Sequence, residues 1–384
     1  MTIQLLFSIG KTWSPNFYVI AFLGFCEATA FPSAYINAYV IAVELVGKEH
    51  RGWVNGAFSC LWVVGLVILA FVAWLLQGHW IHLSLAANLP ILLFYTAYWF
   101  LPESPRWLMT RGRLSEAEEV VVKIARMNGL PTRREKISGF LQMVSEHEKR
   151  ASPQYWTLLR TRSLLRRVIT NGFGFLAVVQ VYSGLHLDFG NLGANPYINF
   201  ALLGIVELPA YIFAYWTMER LGRRWMNAIF LLMSAISMIF VPVAPAGSSW
   251  ALLPSLMAKF SATAAFLIIY QQQAEVFPTN LRSTAASLVR IFSGVIGMVN
   301  PYLMKMGDEN PWIPYGVFGA VNLGAAIAVS FTPETLKKDL PDGILEAENL
   351  DKESEYWSWP ELTRFSRTRP GRRDFQMNAV REGS

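Results

Sequence analysis

Apolar runs, each close to the length a helix needs to cross a bilayer, recur along nearly the whole chain and are separated by short charged segments. A hydrocarbon core roughly 30 Å thick takes about 20 predominantly apolar residues as an α-helix, because every backbone polar group must find its partner inside the segment. Full-length runs lie at 17–43, 53–76, 81–101, 168–187, 197–217, 225–243, 251–273, 284–304 and 312–331. The opening Met1-Thr-Ile-Gln-Leu-Leu-Phe-Ser-Ile9 is too short to span and lacks the basic start and cleavage site of a signal peptide, so it reads as the end of a cut helix. The expected fold class is an all-α membrane protein with about nine complete transmembrane helices plus a partial one.

Composition agrees. Hydrophobic residues make up 53% of the chain and charged residues 16%, which a soluble domain of this length could carry only by exposing large apolar patches. The two cysteines, Cys26 and Cys60, both fall inside apolar runs and are expected to be small buried hydrophobes; they offer no material for a disulfide framework or a metal cage. The net charge of +6 does not point to nucleic acid, because nearly all the Lys and Arg outside Lys259 and Arg290 lie in the segments between apolar runs and mix there with acids. A membrane-facing cytosolic surface explains them better.

Lys and Arg placement sets the orientation, since positive loops stay in the cytoplasm. The segment 102–167 carries 14 of the 33 Lys and Arg and must lie inside. Counting helices outward from it puts 44–51, 219–224, 275–282 and the tail from Pro333 on the same side, whereas 77–80, 186–196, 245–250 and 307–311 hold no Lys or Arg. Within the long loop, Ser115 with Glu118 predicts a capping box, and Ala117, Val120, Val121, Ile124 and Ala125 predict an amphipathic helix ending at Gly129. A second helical stretch is expected over 135–150. The tail after Asp351 shows no periodicity and reads as disordered.

Three clusters on the inner side are alike: Glu44-Leu-Val-Gly-Lys-Glu-His-Arg51, Glu219-Arg-Leu-Gly-Arg-Arg224 and Glu275-Val-Phe-Pro-Thr-Asn-Leu-Arg282. Each sets an acid at the end of one span and an arginine at or near the start of the next. Charges at helix ends can pair across a seam, and a set that pairs only when the inner side is shut acts as a gate; the alternative is plain positive-inside anchoring.

Four motifs in order and spacing are similar to the major facilitator superfamily, and within it to the organic cation, anion and zwitterion transporters of the solute carriers. They are Pro102-Glu-Ser-Pro-Arg-Trp-Leu108, Gly222-Arg-Arg224, Ala274-Glu-Val-Phe-Pro-Thr-Asn-Leu-Arg282 and Pro333-Glu-Thr335. Sugar carriers of the superfamily share the first and last, but their Gln-Gln start to the seventh helix is replaced here by Val179-Gln-Val-Tyr-Ser-Gly-Leu185, which resembles organic-ion members. The resemblance implies a major facilitator bundle comprising family helices 3–12. It implies an incomplete N-terminal bundle over 1–101 (family helices 3–6), a cytosolic loop with short amphipathic helices over 102–167, a C-terminal six-helix bundle over 168–332 and a largely disordered cytosolic tail over 333–384. The first two family helices, the large extracellular loop after the first and most of the third helix are expected to be missing, as in a splice variant, a fragment or an incomplete gene model. The implied gate comprises Glu44, Arg51, Glu103, Arg106, Glu219, Arg223, Arg224, Glu275, Arg282 and Glu334. A multi-pass protein of the plasma membrane is the expected setting.

Ionisable groups within spans are functional candidates, because each costs several kcal/mol unless it faces a cavity or a partner. Glu27, Glu207, Lys259 and Arg290 qualify. The resemblance carries Glu207 to an acidic position of the family's eighth helix, Lys259 to a basic position of its tenth, and Tyr35, Tyr39 and Tyr182 to aromatic cavity positions; Glu27 has no such match. Phe266 and Tyr270 follow Lys259 at helical spacing. Aromatic faces attract organic cations at about 0.5–2 kcal/mol each. The bland alternatives are core aromatics and a structural ion pair of Glu207 with Lys259 or Arg290. On the eleventh helix Gly294 stands where relatives carry a charge that tracks substrate sign, and Arg290 lies one turn earlier.

The function these features imply is transmembrane passage of a small organic ion, cation, anion or carnitine-like zwitterion, by alternating access, with membrane lipid as solvent and no cofactor. The rival is a non-transporting isoform that associates with full-length carriers. An enzyme is a distant third: the five histidines are scattered, and neither metal-ligand spacing nor a phosphate-cradling loop appears. In a chain bearing Cys26→Ala and Cys60→Ala, a cysteine at Asn191 or Ser249 should react with an impermeant maleimide added to intact cells. One at Ser115 should react only after permeabilisation, and the reverse pattern overturns the orientation.

Overall fold

A computed structural model describes residues 2–46, 51–93, 103–110, 112–129, 134, 137–139, 141–143, 157–193, 195–244, 249–278, 281–336, 338, 341 and 347. The described residues are helical with short connections. In chain order the helices are α1 (Thr2–Trp13), α2 (Phe17–Leu45), α3 (Arg51–Leu75), α4 (Trp80–Asn88), α5 (Pro105–Thr110), α6 (Leu114–Met127), α7 (Thr157–Arg160), α8 (Arg162–Leu187) and α9 (Pro196–Ile205). They continue with α10 (Glu207–Leu221), α11 (Arg223–Phe240), α12 (Leu252–Val276), α13 (Arg282–Gly297), α14 (Asn300–Met306) and α15 (Trp312–Ser330).

Seven helical segments among the described residues are long and apolar enough to cross a membrane, with Phe17–Thr29 and Trp80–Leu93 as shorter apolar helices. Two runs expected to be uninterrupted are broken. Pro209 and Pro301 each lack the N–H that the carbonyl four residues earlier would receive, so the chain is interrupted at Val206, between α9 and α10, and at Met298–Val299, between α13 and α14. The Ala210 amide reaches the Val206 carbonyl only at 3.4 Å. The break leaves Glu207 on the first turn of α10.

The core forms where α8, α11, α12 and α15 meet, with α10 and α13 against its flanks. Ala258, Ala262, Ala264 and Ala265 of α12 are fully buried, and small side chains let helix backbones approach closely where lipid tails give no hydrophobic drive to association. At the α8–α15 contact Gly184 leaves room for the buried ring of Phe318. At the other extreme, Gly56–Leu75 buries only 11% of its apolar window and turns Leu61, Ile68, Phe71 and Trp74 outward. Helix α1 packs on α2 and α4, with the Thr12 hydroxyl 2.8 Å from that of Ser84 and Lys11 paired with Glu27 at 2.5 Å.

Two expectations are corrected. Helix α6 starts at Leu114 with Arg113 as its cap residue, so Ser115 lies inside the helix and forms no capping box; Arg113 binds Glu116 instead at 2.5 Å. The amphipathic character holds, with Ala117 and Val122 buried. Cys60 is exposed and Cys26 only half-buried, because α2 and α3 turn much of their surface outward. Pro333, Glu334 and Thr335, which follow α15, are buried. The expected helix at 135–150 and the tail beyond Asp351 fall largely or wholly outside the described residues.

A Cβ on Gly184 would sit 2.5 Å from Phe318 Cε2. Gly184→Ala should therefore cost about 1–3 kcal/mol through overpacking, read as a lowered melting temperature in detergent; an unchanged value would show that α8 and α15 do not meet this closely.

Candidate functional site

Five helices converge on one buried cation. Lys259 of α12 is fully buried, and its Nζ lies 2.9 Å from Glu207 Oε1 on α10, whose side chain is also without exposure. The same Nζ is 2.8 Å from His186 Nε2 and 2.9 Å from the centroid of the Tyr182 ring, both on α8. An ammonium only donates, so His186 Nε2 accepts and its ring proton is assigned to Nδ1. Tyr182 and His186 are one turn apart and stack at 4.7 Å, and Phe200 of α9 meets His186 edge-on at 5.3 Å. Helical spacing also sets Tyr211 over Glu207, to whose Oε2 it donates at 3.3 Å. Trp62 of α3 donates its indole N–H to the Tyr182 hydroxyl at 2.9 Å. Burying two opposite charges is tolerable only with such geometry, because desolvation costs several kcal/mol per ion.

A second group lies further along α12. Phe266 and Tyr270 pack at 4.7 Å with Phe175 of α8 against both, and the Arg290 guanidinium of α13 stands 5.2 Å from the Tyr270 ring centroid. Tyr39 of α2 meets Phe58 of α3 edge-on at 5.4 Å. The side chains of Tyr35, Glu44, Arg51 and Arg106 lie outside the described residues.

The charged residues of the basic side form a third group. Gly222, at φ +97°, a conformation that favours glycine, turns the chain from α10 into α11. The exposed first amides of α11 are met by Glu334, whose Oε1 accepts from Arg223 N at 2.9 Å and whose Oε2 accepts from Arg224 N at 3.1 Å. A carboxylate at a helix N-terminus is favoured by both the free N–H groups and the dipole. The Arg223 side chain binds Glu219 at 2.7 Å and Glu275 at 3.3 Å, and Thr335 donates to Glu275 at 2.5 Å. Arg224 is buried beside Trp225, and Arg282 opens α13 partly buried. Glu103 is exposed. Beyond the far end of α8, burial pushes the Asp188 carboxyl up from its ordinary pKa, opposed by hydrogen bonds from Tyr315 and Asn191.

The "Sugar (and other) transporter" family profile matches residues 6–342. The chain belongs to this family. It is 30% identical over 360 residues to an organic cation transporter protein of Drosophila melanogaster, a match covering 92% of this chain and 66% of that protein. It is also 30% identical to solute carrier family 22 member 3 of Mus musculus (90% of this chain, 63% of that protein) and 29% identical to organic cation/carnitine transporter 2 of Homo sapiens (90% and 62%). The chain thus spans less than two thirds of the length of these relatives. Among solved structures, the inward open xylose transporter XylE from E. coli aligns with a TM-score of 0.66 at 20% identity, covering 92% of this chain and 81% of that one. The major facilitator proton:xylose symporter XylE bound to 6-bromo-6-deoxy-D-glucose aligns at 0.64, with 20% identity and coverage of 91% and 81%. The fold is therefore that of the major facilitator superfamily, and the protein is a multi-pass membrane protein.

Sequence reasoning singled out Tyr182, Glu207 and Lys259, which the structure brings together, and Phe266, Tyr270 and Arg290, which it groups apart from them. His186, Tyr211, Trp62, Phe175 and Phe200 were missed. His186 and Tyr211 carried a signal in their one-turn spacing from Tyr182 and Glu207; Trp62 carried none, since its neighbour in space is distant in sequence.

Removing one partner of a buried pair strands the other. Glu207→Gln should lower stability by about 3 kcal/mol or more, and Glu207→Gln combined with Lys259→Met should recover most of that loss. Additive losses in detergent melting curves would show the two side chains to be uncoupled.

Proposed function

We propose that this chain carries small organic ions across the membrane by alternating access, without a covalent step. The observation that carries the reading is the Lys259–Glu207 pair, two opposite charges without exposure inside membrane-crossing helices, set against Tyr182 and His186 and joined through Trp62 to α3. A buried pair between spans is costly for packing alone and is the usual mark of a substrate or ion pathway. Tyr35, Tyr39, Tyr182, Glu207, Lys259, Phe266, Tyr270 and Arg290 line the route in this reading.

Two units, 1–101 and 168–332, rock about that route and are joined by the loop 102–167. The network of Glu219, Arg223, Glu275 and Glu334 braces the inner end of the second unit, and Glu44, Arg51, Glu103, Arg106, Arg224 and Arg282 complete the gate when that side shuts. The relatives named as organic cation and organic cation/carnitine transporters support a small organic ion as substrate and the plasma membrane as the setting.

Cells expressing the chain should show saturable uptake of a labelled organic cation, anion or carnitine-like zwitterion. Glu207→Gln should reduce it at least about tenfold, equivalent to about 1.4 kcal/mol. If uptake of all three classes is absent, the chain instead serves as a non-transporting partner of full-length carriers, and co-purification with one tests that role.

A further inference from the structure

We infer that Lys259 is a built-in occupant of the site's own cation pocket, so that the protein takes organic anions and refuses permanently charged organic cations. The inference rests on the transport reading above and names its substrate class. A carboxylate and an aromatic face are the groups that recognise an organic ammonium. Here both are present, and both are already engaged by the protein's own ammonium. Glu207 Oε1 lies at 2.9 Å, His186 Nε2 at 2.8 Å and the Tyr182 ring centroid at 2.9 Å from one Nζ, so that carboxylate, imidazole and aromatic face all bear on the same ammonium. Lys259 is fully buried, so its amine does not reach the site from outside; it sits there as part of α12.

A tethered occupant competes with unusual strength. Its effective concentration is in the millimolar range or above, whereas a diffusing substrate arrives at its bulk concentration. A cation entering beside Lys259 also meets a like charge in a medium that screens it poorly, and repulsion of the wrong partner is a standard source of specificity.

The remaining charge points the other way. Glu207 is neutralised by Lys259, while Arg290 has no ion-pair partner among the described residues and stands 5.2 Å from the Tyr270 ring centroid. Tyr270 lies 11 residues beyond Lys259 on α12, about 16 Å along the helix axis at 1.5 Å per residue. The described side chains of the route therefore carry excess positive charge, which favours a carboxylate.

The test uses the purified full chain and two probes, tetraethylammonium and benzoate, with binding read as a saturable rise in melting temperature. Wild type should respond to benzoate and not to tetraethylammonium. Lys259→Met, which vacates the pocket and leaves Glu207 and Tyr182 in place, should gain tetraethylammonium affinity at least about tenfold. Lys259→Met combined with Glu207→Gln should lose that gain while keeping both charges out of the core. Should Lys259→Met fail to fold, the wild-type response decides: saturable tetraethylammonium binding overturns the inference. Lack of any gain in a folded Lys259→Met, with benzoate binding intact in wild type, overturns the inference and leaves the transport reading standing. No response to either probe in any folded variant removes both.

Discussion

The ion pair of Lys259 with Glu207 organises the middle of this protein. Two side chains with no exposure meet at 2.9 Å between α10 and α12, and their charges have no other counterion within the described residues. Such a pair survives burial only if neighbouring groups satisfy the donors and lone pairs left over, since its Coulomb attraction must offset the desolvation of both ions. His186, Tyr182 and Tyr211 supply those groups, and each comes from a helix already bearing on the pair. Trp62 extends the arrangement to α3, so that one polar centre ties helices from early and late in the chain.

The same economy governs the basic side. Helix α11 begins on Gly222, whose backbone conformation frees the amides of Arg223 and Arg224 to point at Glu334. Arg223 then folds back on Glu219 and Glu275, and Thr335 returns to Glu275. Arginine suits this place because its planar fork reaches two carboxylates at once, where a lysine would offer a point charge. The result joins α10, α11, α12 and the segment after α15.

Much of the architecture was legible because lipid leaves the backbone one economical solution per span. Run length and the concentration of Lys and Arg in alternate connections predict helices and sides, and both follow from composition along the chain. The breaks at Pro209 and Pro301 were legible in principle from the missing proline N–H, yet the apolar runs pass through them without a change of pattern. Ser115 with Glu118 misled, since a capping signal ranks local options and the packing of α6 started the helix at Leu114 instead. Exposure of Cys60 was illegible: in a membrane protein apolar residues face lipid and core alike, so hydropathy does not say which side of a helix is buried.

By itself, then, the chain determined that it would be a bundle of membrane helices, which ends would be charged, and that Glu207 and Lys259 would need an answer to their burial. Those outcomes depend on local length, hydropathy and charge, which are properties of consecutive residues. Only the tertiary structure decided that the answer is each other, that His186 and Tyr182 complete the cage around the lysine, and that Arg290 stands against Tyr270 instead. These depend on the rotation and depth of one helix against another, set by small-residue contacts such as Gly184 against Phe318, and no periodicity within a single span encodes them.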